Sequence, residues 1–486
     1  MFFRIMKVNV FTIMVSSVLL CVLISCSGKS GEVDDSGYSS EGVFKATGNT
    51  DPNRRAPREK QGEVVVTFDM LPTTMSFNLP SFCCMVTENG ICYHNGWTET
   101  YDSKVEGLWF EPLMDMENRY SRMWIESQND ARIVVRWRGA MCNREDFTIA
   151  HSDVPSGSPY GDGDWFDEWY IIYPDGVHVR TSRIYTYYAD ESVPLSWELY
   201  CYFEEPSEDI VHEFQEMLLL GGRPGRLAED DLEKEALTLI KMNGQSSTIF
   251  WEPYPIEFKP TKEQLYTAFG EFSNANMFVV NTKSEYRPFT IARMDSVNIS
   301  PYPPEREERS GVFQSWPQEP KRESGYDGAG LGHIINRVHY QKTDNTLTHV
   351  YLSGWTNAKE PAKELVPLGR SWLYAPKMKL INKEPVTMIG YDMTQRAYVI
   401  DCQQVEEPDA VTFEILASIK SPVVNPAFVL KGWGEKDIIL KADGKTIKQG
   451  ADFRVGYEQR DGDIDMVLWL KAESDDTMRF TIRRKD

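Results

Sequence analysis

The sequence predicts an all-β protein, in which one large, curved, multi-stranded β-sandwich of the supersandwich type is followed by a smaller immunoglobulin-like β-sandwich. Three observations carry this expectation. Short apolar and polar alternations recur, as in Arg132-Ile133-Val134-Val135-Arg136-Trp137-Arg138, and period-two alternation is what a strand with one buried face requires. Gly, Pro and Asp turns separate these runs. Helical periods are rare: Thr261 to Phe269 opens with a threonine cap and Glu263, and Ala362 to Leu368 is a second short candidate.

The N-terminus sets the expected address. Arg4 and Lys7 precede an apolar run from Phe11 to Ile24, too short for a stable membrane span, and Leu23-Ile24-Ser25-Cys26 ends it with the pattern of a bacterial lipoprotein signal. Residues 1–25 are therefore expected to be removed and Cys26 to be lipidated, anchoring the chain to the cell outer membrane. Residues 26–62 are rich in Ser, Gly, Asp and Lys without hydrophobic periodicity, and read as a flexible tether. Ordered structure is expected from Glu63-Val64-Val65-Val66. The large domain then spans 63–384, and the C-terminal sandwich, with its Asp443-Gly444 and Asp461-Gly462 turns, spans 385–486.

Lys and Arg number 52 against 73 Asp and Glu, a formal charge of −21. Loss of Arg4 and Lys7 with the signal takes it to −23. This balance argues against a nucleic-acid partner and confines any anionic polymer to places where arginines concentrate, as they do around residues 119 to 144. Of the cysteines after Cys26, namely Cys83, Cys84, Cys92, Cys142, Cys201 and Cys402, no pair has C-x-x-C spacing. Disulfides from Cys83 or Cys84 to Cys92 or Cys142, and buried free thiols, are both compatible with the sequence.

The segment Glu168 to Tyr185 contains two strand-like runs joined by Pro174-Asp175-Gly176. With Tyr173 opposite Val177, Ile172 faces His178, Tyr170 faces Arg180 and Glu168 faces Ser182. One face thus gathers Glu168, Tyr170, His178 and Arg180, expected toward solvent or a cleft; the other gathers Trp169, Ile171, Tyr173, Val177 and Val179, expected in the core. In the preceding strand Ile133, Val135 and Trp137 point one way, and Arg132, Arg136 and Arg138 the other. Together these elements predict a basic sheet face bearing tyrosine and histidine.

Between them runs His151-Ser152-Asp153-Val154-Pro155-Ser156-Gly157-Ser158-Pro159-Tyr160-Gly161-Asp162-Gly163-Asp164-Trp165, whose Gly and Pro permit unusual backbone shapes. Asp162, Asp164 and Asp167 offer carboxylates to a Ca²⁺ ion, though not at EF-hand spacing; turn-forming aspartates are the competing reading. Trp97, Trp316-Pro317, Gly354-Trp355 and Trp372 are candidate sugar platforms or core residues. Serine-hydrolase elbows, phosphate-binding loops and H-E-x-x-H motifs are absent.

The stretches His151 to Trp169, Trp316-Pro317, Gly354-Trp355 with Leu365-Val366-Pro367-Leu368-Gly369-Arg370-Ser371-Trp372, and Asn425-Pro426-Ala427-Phe428 give the chain a further character. It resembles the exported bacterial polysaccharide lyases that degrade uronic-acid-containing algal glycans, ulvan lyases in particular. The resemblance implies β-elimination at a uronate linked to sulfated rhamnose, leaving an unsaturated uronic end. That reaction needs a group to neutralise the carboxylate, a base for the adjacent proton and an acid for the leaving oxygen. Arg180 is the candidate neutraliser, His178 or His151 the base and Tyr170 the acid; His94, Asn95, Arg136, Arg138, Trp316 and His333 are candidates for holding the polymer. A non-catalytic surface glycan-binding lipoprotein and a glycoside hydrolase are the alternatives.

Overall fold

The computed structural model describes residues 43–55, 64–77, 83–94, 96, 98–102, 108–143, 146–190, 210–221, 232–250, 274–293, 297–300, 328–336, 340–381, 386–403, 410–460 and 462–485. More than half of these residues lie in strands, paired antiparallel except where Ala397–Asp401 runs parallel to Ala427–Lys431, and the described residues contain one α-helix, Pro361–Leu373. The all-β expectation holds. No helix among the described residues is long and apolar enough to cross a membrane.

Two ten-stranded sheets form the larger part. The first runs from Lys45–Gly48 through Val64–Thr67, Thr74–Phe77, Cys83–Val86 and Cys92–His94 to the long strand Ile210–Gly221, which also pairs with Thr98–Asp102. The second has the central order Arg287–Ile291, Thr346–Thr356, His178–Tyr185, Trp165–Ile172, Ile133–Ala140 and Arg122–Gln128. Val64, Val66, Met75, Phe77, Met85 and Tyr93 of the first sheet pack on Ile133, Val135, Trp137, Tyr170 and Ile172 of the second, so one core lies between the sheets.

The part of the other face that carries Ile171 and Val179 is covered as well. Val134, Ile171, Val179, Val350 and Leu352 pack against Leu365, Leu368 and Trp372 of the helix and against Val399, Val429, Val467 and Trp469 of the C-terminal part. That part is a sandwich of two five-stranded sheets with its own core, including Phe413, Phe428, Met466 and Phe480. At these positions the second ten-stranded sheet is an inner layer. This arrangement dictates what its polar residues must do, because a polar group withdrawn from water needs a partner.

Two expected bounds shift. Lys45–Gly48, inside the segment read as tether, pairs in register with Val64–Thr67. Its weak pattern explains the difference: a four-residue edge strand with one buried side chain, Ala46, carries no periodic signal. The C-terminal sheets begin at Lys377–Leu380, before Pro385, and the helix extends past Leu368 to Leu373. The Thr261 to Phe269 candidate lies outside the described residues.

The hairpin has the register derived from its turn. Tyr170 pairs with Arg180, Ile172 with His178 and Glu168 with Ser182, and the Tyr173 N–H donates to the Val177 carbonyl at 3.2 Å. Gly176 adopts φ 76°, and a Cβ there would come within 2.3 Å of Leu71 Cδ1, so glycine meets both a conformational and a steric demand. Asp175 at the tip accepts from Arg396 at 3.0 Å and Asn425 at 3.0 Å, docking the hairpin onto the C-terminal sandwich. A second tie is Arg132 to Glu458, with Nε and Nη2 each 2.6 Å from the carboxylate.

Candidate functional site

Three polar clusters surround the hairpin, and their burial separates internal from solvent-facing chemistry. The first contains the residues expected to catalyse. Glu168 accepts from Arg180 Nε at 2.9 Å and Nη2 at 2.6 Å, from Ser182 at 2.7 Å and from Tyr170 at 2.8 Å. Tyr170 and His178 are 0% exposed, and Arg180 and Glu168 1%. The expectation that this face meets solvent or a cleft is corrected: it faces the core between the two large sheets. Burial, then the charge of Glu168, pushes the Tyr170 phenol well above its usual range. Burial lowers His178 to about 3, so its ring is neutral. The Arg180 guanidinium is matched by a buried carboxylate and reads as a member of an internal ion pair.

The second cluster lies at one end of the same inter-sheet space. His151 Nδ1 is 3.1 Å from Asp164 Oδ2, and His151 Nε2 is 3.1 Å from Asp102 Oδ2. His212 Nε2 reaches the same Asp164 oxygen at 3.1 Å. Asp164 Oδ1 is buried with no hydrogen-bond partner among the described residues. Burial opposes the His151 charge, but hydrogen bonds and charges from Asp164 and then Asp102 prevail and raise its pKa. Burial likewise opposes ionisation of Asp164, and its two histidine partners prevail and lower it. The ring of Tyr188 meets His151 edge to face at 4.7 Å.

The third cluster faces outward, on the opposite side of the second sheet. Arg136 pairs with Trp169 and Arg138 with Asp167, so by strand alternation these arginines share a face with Trp169 and not with Tyr170. The expectation of one face bearing the arginines together with Tyr170 and His178 is corrected accordingly. Arg132 leaves the strip altogether, being 0% exposed and paired with Glu458.

On this outer face Asp167, fully buried, accepts from Arg136 Nη2 at 3.0 Å, from Tyr160 at 2.7 Å and from Tyr185 at 3.2 Å. Burial and the Asp167 charge raise both phenols. Guanidiniums lie on the aromatic rings: Arg136 over Trp169 at 4.8 Å, Arg183 over Trp169 at 5.5 Å and Arg138 over Tyr160 at 4.8 Å. Arg136, Arg138 and Arg183 are half-buried. Arg138 and Arg183 form no ion pair among the described residues; their hydrogen bonds go to the Pro52 carbonyl and the Thr348 hydroxyl.

The remaining candidates distribute as follows. His94 lies on the strand Cys92–His94 and His333 on Gly328–Asn336, which flank Ile210–Gly221, with His94 in register with Leu219 and His333 with Met217. Asn95, Trp97, Trp316 and Cys26 lie outside the described residues. Trp355 and Trp372 are buried and pack in cores, which removes them as sugar platforms. Asp164 and Asp167 serve different clusters on opposite faces, so with Asp162 they do not converge as a Ca²⁺ site. No group of three or more His, Cys, Asp or Glu among the described residues is arranged to hold a metal. Cys402 is a buried free thiol.

Sequence reasoning passed over Arg183, Tyr185, Asp102, His212 and Tyr188. For Arg183 a signal was present, because the derived register already sets it opposite Asp167 on the Trp169 face. Asp102 and His212 come from distant strands, and nothing local announces that they meet His151.

No family model matches the chain, and no curated protein does. Among solved structures it is similar to a polysaccharide lyase at 9% identity and TM-score 0.17, covering 85% of this chain and 46% of that one. It is also similar to the Paenibacillus xanthan lyase at 7% identity and TM-score 0.24, covering 89% of this chain and 38% of that one. The chain spans less than half the length of either, and likeness at these scores carries no argument about activity.

Proposed function

We propose that the protein recognises an anionic, uronate-bearing polysaccharide on the outer face of its second sheet. The observation that supports this reading is the set of guanidiniums stacked on Trp169 and Tyr160, of which Arg138 and Arg183 have no carboxylate partner among the described residues. Stacking on rings preorganises a guanidinium and leaves its N–H edge available for carboxylate or sulfate. Neutral sugars fit this face less well, because arginines already lie over the tryptophan ring that a pyranose would cover. A polymer carrying both carboxylate and sulfate, as in the ulvan suggested by the sequence resemblance, presents the anions that arginine pairs with best. The lipoprotein-signal pattern expected at Leu23 to Cys26 supports an outer-membrane address for this recognition.

The test is equilibrium binding of polygalacturonate and ulvan against a neutral polymer such as dextran, at low and moderate salt. Tight binding of the acidic polymers that weakens with salt is the expected result. Equal affinity for dextran, or binding indifferent to salt, would overturn it.

Cleavage by β-elimination is the second reading, that of a polysaccharide lyase, and one observation favours it: the Tyr160 and Tyr185 phenols, their pKa raised by burial and Asp167, stand on the same face as the Arg138 and Arg183 guanidiniums, which have no ion pair among the described residues. Tyr160 or Tyr185 supplies the acid for the leaving oxygen and Arg138 or Arg183 neutralises the carboxylate. Asp167 is not free to take the adjacent proton, since it already accepts from Arg136, Tyr160 and Tyr185. Ultraviolet absorbance of the unsaturated uronate, followed during incubation with ulvan, distinguishes cleavage from binding alone.

A further inference from the structure

His151 is held in a way that its own chemistry restricts. Both ring nitrogens face carboxylate oxygens at 3.1 Å. A neutral imidazole carries one N–H and one lone pair, so one of these contacts would set a lone pair against a carboxylate; the imidazolium alone donates to both. The two carboxylates come from different layers: Asp102 ends a strand of the first sheet, and Asp164 immediately precedes the Trp165–Ile172 strand of the second. His151 itself occupies a left-handed backbone conformation, φ 53°, that a non-glycine residue adopts at a cost.

The loop that begins at His151 ends at Asp164, and its backbone closes on itself: the Asp164 N–H donates to the Ala150 carbonyl at 2.8 Å and the Gly163 N–H to Val154 at 2.9 Å. Within it Ser156 is buried, Ser158 accepts from the Tyr160 N–H at 3.1 Å, and the Tyr160 ring emerges onto the arginine face. One short loop therefore joins the inter-sheet charge cluster to the ligand-facing surface.

We infer that His151 is a positioning residue: as an imidazolium clamped between Asp102 and Asp164, it fastens the 150–164 loop across the two sheets and so sets Tyr160 in the arginine face that binds the anionic polymer. This rests on the binding face proposed above. The titratable groups facing the clamp are Asp102 from Thr98–Asp102, Asp164 from the head of Trp165–Ile172, His212 from Ile210–Gly221 on the shared Asp164 oxygen, and Tyr188 from the turn after His178–Tyr185. Deprotonating His151 leaves Asp102 and Asp164 facing across an uncharged ring, with a lone pair set against one of them. The loop is expected to loosen as pH rises above the ordinary histidine range through the raised value of His151.

The experiment compares the full chain and its His151→Gln variant from about pH 6 to about pH 9. Affinity for polygalacturonate should fall roughly tenfold or more across that range in the wild type, and be weak and flat with pH in His151→Gln, since glutamine carries no charge. Amide exchange of Ala150, Gly163 and Asp164 should accelerate in parallel, relative to amides of the Ile133–Ala140 strand. A variant that keeps wild-type affinity and the wild-type pH profile overturns the inference. If polygalacturonate binds at no pH, the binding face fails while amide exchange still decides the clamp; loop exchange that rises no faster with pH than that of the reference strand overturns the clamp. Should His151→Gln fail to fold, the wild-type affinity and exchange profiles decide the matter by the same criteria.

Discussion

Arg180 and Glu168 stand on adjacent strands of the inner sheet, joined by Nη2 and Nε to one carboxylate oxygen at 2.6 and 2.9 Å, and each is 1% exposed. A charge so deeply withdrawn from water is tolerated only with its partner in place. Arg180→Ala should therefore cost about 3–5 kcal/mol of folding stability, as removing one member of a buried pair does. Urea denaturation reads this directly. A loss under about 1 kcal/mol would be the magnitude of an exposed pair and would contradict the interior placement.

The C-terminal sandwich is docked by a second buried pair, Arg132 with Glu458. Burial tends to raise the Glu458 pKa, but Arg132 overcomes it and holds the carboxylate down at about 2, against 4.5 unfolded. A depressed carboxylate contributes stability that is fully present above its unfolded value and is lost as pH falls through the folded one. Docking should thus weaken between pH 4.5 and about 2. Scanning calorimetry should show the wild-type melting temperature falling more steeply over this window than that of Glu458→Gln, which has no such proton to take up. Parallel slopes in the two proteins would refute the assignment.

How far the sequence reaches is clear from the same strands. Alternation and the Pro174-Asp175-Gly176 turn were enough to pair Tyr170 with Arg180, because side-chain period and turn length together fix register. They were not enough to say which face meets water. The Tyr170 face of Trp165–Ile172 and His178–Tyr185 is covered by the first sheet, and Ile171 and Val179 on the other face by the helix and C-terminal sandwich, and a polar residue in such a layer looks like a surface residue until its partner is known. For Arg132 the partner, Glu458, lies 326 residues away. The outward-facing set was only partly legible: Arg136 and Arg138 stood out by alternation, whereas Tyr160 lay in the Gly- and Pro-rich loop without being singled out. The joining of His151 to Asp102 and His212 depends on how the two sheets stack, which no local pattern encodes.

Arg138 and Arg183 are expected to contribute to polymer binding through charge-assisted hydrogen bonds. Arg138→Ala or Arg183→Ala should each weaken polygalacturonate affinity roughly tenfold, the equivalent of about 1.4 kcal/mol, and make it less sensitive to salt. Melting temperatures should move little, because each guanidinium is half-buried and its remaining bonds go to a backbone carbonyl and a hydroxyl. Arg180→Ala serves as the contrast: it should lower the melting temperature, while the folded fraction retains affinity. The opposite pattern, affinity lost with Arg180 and unaffected by Arg138 and Arg183, would return the site to the inter-sheet core.

Tyr160→Phe separates binding from cleavage. Its hydroxyl lies 2.7 Å from Asp167 Oδ2, and burial together with that carboxylate raises its pKa, so the phenol stays protonated through the neutral range and is suited to donate a proton, not to accept one. Phenylalanine keeps the ring that stacks under Arg138 and beside Trp165, and Asp167 still accepts from Arg136 and Tyr185. Affinity for the polymer should then change by no more than a few-fold. If the face cleaves its ligand, formation of the unsaturated uronate should fall by roughly a hundredfold or more, the usual contribution of a positioned acid. Since the phenol ionises only well above neutrality, the wild-type rate should not decline on the alkaline side on account of Tyr160; a decline there shared by wild type and Tyr160→Phe would have to come from another group, with His151 first in line. Undiminished double-bond formation in a folded Tyr160→Phe protein would strip Tyr160 of the acid role and leave Tyr185 as the phenol to test.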